Sequence, residues 1–188
     1  MNRSRSYRSI VLAALLLVVG YVLSVPLSAS ASSSTPPPTV PGDIAVPAGY
    51  ELLFMNHARG VQTYECLNGQ WTFHAPAALL FTPPAHKATG IHYGGIDRGL
   101  TPGPWWESLR DGSRIRAGEA LPAPSPNPDS IPLLRLKVLD WHGTGVFSPV
   151  KYIHRLNTVG GVGPTGACTA GAREWVPYTA DYYFYGNP

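Results

Sequence analysis

His92 is followed at short range by Trp105, Trp106, Glu107 and Asp111. A histidine and two carboxylates supply acid–base groups when a fold turns them into one cleft, and paired indoles supply an apolar wall with one donor each. Glycines around His92 (Gly90, Gly94, Gly95) let backbone approach a bound molecule. The same stretch also has a purely structural reading. Asp111-Gly112-Ser113 is a turn sequence whose carboxylate and hydroxyl bond their own backbone, and the aromatics can plug one end of a β-fold. A second set lies in the run Tyr178–Tyr185, where Ala180, Tyr182 and Phe184 are expected to face a core and Asp181, Tyr183 and Tyr185 the other way. Tyr183 and Tyr185 in an open row would stack on flat sugar faces; packed beneath a loop they would be structural.

Other chemistries find no support in residue type and spacing. The six histidines (His57, His74, His86, His92, His142, His154) never recur two or four apart, so no metal centre is expected. A nucleophile elbow, a zincin helix, a dinucleotide fingerprint and a phosphate loop are all absent from the sequence, and no cofactor is expected.

Residues 1–31 have the layout of an export signal. Arg3, Arg5 and Arg8 precede the apolar run Ile10–Val25, and Ala29-Ser30-Ala31 offers a small-x-small cleavage site. The run is shorter than the roughly 18–20 residues that span a bilayer, so cleavage after Ala31 is expected and no membrane association afterwards. The net charge of +3 equals the contribution of those three arginines, leaving a neutral mature chain. Without a basic cluster, nucleic-acid binding has no electrostatic footing. The protein is expected to be secreted, or periplasmic where an outer membrane exists. In such surroundings Cys66 and Cys168, the only cysteines, are expected to form a disulfide.

Residues 32–45 are rich in Ser, Thr and Pro and read as a disordered or polyproline linker, with a single domain over 46–188. Tyr50–Met55 reads as a strand ended by Asn56–Gly60. Asn68-Gly69, between Val61–Leu67 and Gln70–His74, predicts a type I′ hairpin with Leu67 opposite Gln70, Cys66 opposite Trp71 and Tyr64 opposite Phe73. Tyr64, Cys66, Trp71 and Phe73 are expected to face the core, with Thr63, Glu65, Thr72 and His74 opposite. In Leu133–Asp140, alternation points Leu134, Leu136 and Val138 one way. Twenty glycines and twenty prolines punctuate the chain, and no stretch has a capped helical period. The expected fold is all-β, a sandwich or barrel of roughly 8–10 short, mainly antiparallel strands.

The blocks Gly60–Cys66, Gly90–Gly95, Gly103–Glu107, Asp111–Ser113, Tyr152–Thr158, Cys168 and Val176–Tyr185 give the chain a resemblance to the DUF3455 family of exported proteins. Ile96–Pro102 stands as an insertion between two of these blocks, His154 replaces an expected glutamine, and Leu133 a common tryptophan. The resemblance implies export, a disulfide and a β-fold, and no particular activity. The residues favour a secreted ligand-binding or interaction module for a small molecule or saccharide. A hydrolase-like or lyase-like enzyme centred on His92, Glu107 and Asp111 is the alternative, and a structural or wall-associated protein the second.

Overall fold

The structure, a computed structural model, describes residues 36–84 and 87–187. The expected signal peptide and the first part of the linker lie outside the described residues. Eight strands occur among the described residues: β1 (Glu51–Leu67), β2 (Gln70–Phe81), β3 (Gly90–Gly94), β4 (Pro104–Ser108), β5 (Arg114–Ala123), β6 (Leu133–His142), β7 (Val150–Gly160) and β8 (Arg173–Gly186). Each pairs antiparallel with the next, and β8 pairs with β1, which closes the sheet into a barrel. Closure gives every strand a paired neighbour on both sides over part of its length.

Strand alternation decides what fills the barrel. Leu136 and Val138 of β6 point inward as expected, as do Tyr178, Ala180, Tyr182 and Phe184 of β8, and all are buried in one cluster. Small residues let β1 and β2 pack closely. A Cβ on Gly60 would stand 2.1 Å from the Ala77 carbonyl oxygen, so only glycine fits there. At one end of the barrel Phe54 stacks on Phe184 with centroids 4.6 Å apart, and Phe147 packs edge-on to Phe184 at 5.2 Å. These rings fill that end.

At the opposite end Cys66 and Cys168 are bonded, with Cα atoms 5.8 Å apart. The Asn-Gly hairpin has the expected register, and Asn68 (φ 52°) and Gly69 (φ 76°) both take the positive φ that the turn requires. Its side-chain environment differs from expectation. Cys66 is buried, Tyr64 and Trp71 are half-buried, and Phe73 is 51% exposed. A register shift at Thr63/Tyr64 leaves His74 without a partner residue across the strand pair. This bulge brings both Phe73 and His74 to the barrel's end, where Phe73 stays exposed and His74 is covered by Asp97 and Glu65.

Two further boundaries move. β1 runs straight through Asn56–Gly60, because flanking strands satisfy its polar residues. Asn56 Nδ2 donates to Thr82 Oγ1 (2.7 Å), and His57 Nδ1 bonds the Asp181 carboxylate (2.7 Å). Packing also begins before Val46. Gly42–Ile44 form a 3₁₀ turn, Ile44 is fully buried, and it clusters with Ala123, Leu133 and Leu156 on the outside of the barrel. The Ile44 carbonyl accepts from His154 Nε2 (2.7 Å), and the Ala45 carbonyl from Arg135 (2.6 Å).

Candidate functional site

The end of the barrel away from the phenylalanines is not filled. A cavity of about 400 Å³ opens there. Its floor follows from period-two alternation in β3 and β4. In β3, Gly90, His92 and Gly94 point inward, and the absence of side chains on the glycines leaves the imidazole room. His92 lies directly opposite Trp106 of β4, so the two rings stack with centroids 4.2 Å apart and planes 17° apart. Tyr182 of β8 packs edge-on to both, at 5.1 and 5.4 Å. Pro76, Leu134 and Leu136 supply apolar wall, while Phe73 and Ile96 stand at the rim.

Three polar groups give this apolar space its character. Three buried side-chain nitrogens have no hydrogen-bond partner among the described residues, and two of them, Trp106 Nε1 and Gln62 Nε2, belong to cavity-lining residues. Trp106 is 1% exposed and Gln62 2%. A buried polar group without a partner costs about 1–3 kcal/mol, so each donor is an unmet demand for an acceptor. The third group is the Arg155 guanidinium from β7. Its Nε and one terminal nitrogen donate to the Pro132 carbonyl (3.1 and 2.9 Å), and no carboxylate pairs with it among the described residues. Its field reaches His92, Tyr178 and Tyr182, favouring their less positive or more negative forms.

His92 is neutral here. Its Nδ1 lies 2.8 Å from the Trp105 carbonyl, which can only accept, so the ring hydrogen sits on Nδ1. Complete burial pushes its pKa down to about 3. Burial likewise raises the Tyr182 phenol above its ordinary range. Among the described residues, no aspartate or glutamate lines the cavity.

The other expected site residues lie elsewhere. Trp105 and Glu107 flank Trp106 in the strand and therefore point to the outer face. Trp105 Nε1 donates to the Thr101 carbonyl (2.9 Å), and Glu107 accepts from the Tyr93 hydroxyl (2.7 Å). Burial, and then this carboxylate, push the Tyr93 phenol up to about 12. Asp111 holds a surface turn: its carboxylate accepts from the Ser113 hydroxyl and backbone and from the Val146 N–H. Those bonds, led by the Ser113 hydroxyl, lower its pKa to about 2. Tyr183 and Tyr185 are not an open row. Tyr185 is 3% exposed with its hydroxyl 3.1 Å from His154 Nδ1, and Tyr183 packs against the Ile44 cluster.

Of the seven expected residues, the cavity unites only His92 and Trp106. The inward direction of Tyr182 was legible from alternation, but its place at the site was not. Gln62 and Arg155 sit in the blocks Gly60–Cys66 and Tyr152–Thr158 that carry the family resemblance, and nothing in their local sequence marks them as neighbours. The segment Ile96–Pro102 contributes to the rim, where its 3₁₀ turn Ile96–Arg98 is anchored by Asp97 Oδ1 bonding His74 Nε2 (2.8 Å).

Among the described residues, no three His, Cys, Asp or Glu side chains gather where they could hold a metal ion. No helix among them is long and apolar enough to cross a membrane. No curated protein and no solved structure matches the chain. A family match does span all eight strands and every cavity residue just described, from residue 47 to residue 186. The chain belongs to the family described as "Protein of unknown function (DUF3455)".

Proposed function

We propose that this is an exported small-molecule-binding barrel that holds its ligand in the cavity between His92–Trp106 and Arg155. The observation that carries the reading is the pair of buried, unpartnered donors, Trp106 Nε1 and Gln62 Nε2, which belong to residues lining a largely apolar space. Apolar walls with a few convergent polar groups are the usual make-up of ligand sites, and this volume falls in their range of roughly 300–1,000 Å³. Export is supported by the charged, apolar and small-residue layout of residues 1–31 and by the disulfide. Binding is favoured over hydrolase or lyase chemistry because Glu107 and Asp111 are engaged away from His92. It is favoured over saccharide stacking on the Tyr183–Tyr185 face because that face is covered.

Nitrogen-15 spectra of the purified protein test the reading. A panel of acids, amides, alcohols and simple sugars is titrated in, and the Trp106 indole N–H and Gln62 amide signals are followed. Movement of both by at least one compound class is expected. Leu134→Trp, which fills the cavity, should abolish it. If neither signal moves with any class, the barrel is not a small-molecule binder of this kind.

A further inference from the structure

We propose that the ligand is a small apolar monocarboxylate, its acid group held by Arg155 with Trp106 and Gln62 and its body against Leu134, Leu136 and Pro76. This rests on the reading of the barrel as a small-molecule binder and names the chemistry it selects. The argument is one of donors and acceptors. A guanidinium and an indole N–H can only donate, and the unpartnered atom of Gln62 is also its donor nitrogen. All three belong to residues that line one space, and no carboxylate lines it among the described residues. The ligand must therefore bring acceptors.

Charge narrows the class. Among the described residues, Arg155 is the one permanently charged side chain on the wall. His92 adds no second charge at neutral pH, because its ring is only 3% exposed and burial disfavours the imidazolium. At the rim, His74 is already engaged by Asp97 and Glu65 (2.8 and 3.4 Å). One guanidinium balances one negative charge, which suits a carboxylate better than a phosphate dianion. A sugar would bring hydroxyl donors to a wall that already has donors in excess. Stacked aromatic floor and aliphatic wall suit a single ring or a short chain.

Matched pairs test this on the unmodified protein. Phenylacetate, cinnamate and octanoate are titrated calorimetrically at neutral pH against the primary amide of each acid, with the Trp106 indole signal recorded in parallel. At least one acid should bind about tenfold or more tightly than its amide, the difference expected of a charge-assisted contact. Arg155→Gln should reduce that preference to within about twofold, read as the ratio of acid to amide affinity within the variant. Because Arg155 also holds the Pro132 carbonyl, Arg155→Lys serves beside it, keeping the charge and most of the preference. If amides equal acids while the indole signal moves, the carboxylate assignment is overturned and the binding barrel stands. The same holds if sugars alone move it. If no compound moves it, both readings fall.

Discussion

The imidazole of His92 is enclosed by Trp106, Tyr182 and the Trp105 carbonyl, and its proton affinity records that enclosure. An unfolded histidine takes up a proton near pH 6.5, whereas this one resists until about pH 3. Between those values the unfolded chain binds more protons, so stability falls as pH drops through about 6.5 and levels off below about 3. His154, whose pKa burial also lowers, acts with the same sign. Urea denaturation from pH 8 to pH 4 should show a loss on the order of a few kcal/mol. In His92→Phe that slope should flatten, at a pH-independent cost of about 1–3 kcal/mol for the unpaired Trp105 carbonyl. A slope unchanged by the substitution would mean that the ring is solvated. Residue types alone marked His92 and Trp106, because a histidine and tryptophans among glycines invite a ligand. They misplaced Glu107, since one step along a strand reverses the face. Asp111 was readable both ways, and its turn chemistry decided the outcome.

Short elements were the hardest to read. Pro41-Gly42-Asp43-Ile44 looks like the tail of a proline-rich linker, because three residues of 3₁₀ turn give no periodicity. What fixes it is remote: the Ile44 side chain enters a cluster built from β5, β6 and β7, and its carbonyl meets His154. Ile44→Ala should therefore destabilise the barrel by about 2–5 kcal/mol, against nearly nothing for a true linker position, as thermal or denaturant unfolding would show. Hairpin register, by contrast, was legible to the residue, since a two-residue Asn-Gly loop leaves no freedom. The bulge that exposes Phe73 was not, because bulges answer to the curvature of the whole sheet. Polar Asn56 and His57 suggested a strand end for the same reason: their partners, Thr82 and Asp181, come from β1's two flanking elements.

The all-β class and the disulfide follow from alternation, turn residues and two cysteines, the family from the blocks between Gly60 and Tyr185, and all three hold. Barrel rather than sandwich was not decidable from the chain, since both use the same strands and differ only in whether β8 meets β1. Gln62 and Arg155 became site residues only through that closure. The disulfide spans a sequence separation of 102, and in the chain-entropy picture such a link stabilises by up to about 4–5 kcal/mol. Cys66→Ser with Cys168→Ser should lower unfolding stability by about 2–4 kcal/mol while the far-ultraviolet spectrum stays β-type. Loss of that spectrum would make the bond a condition of folding. Phe54, Phe147 and Phe184 have a consequence for traffic. With that end filled, a guest of the kind proposed would enter and leave past Ile96 and Phe73. Lengthening its outward tail would leave the seated part undisturbed, whereas a branch at the leading tip would meet the His92–Trp106 floor.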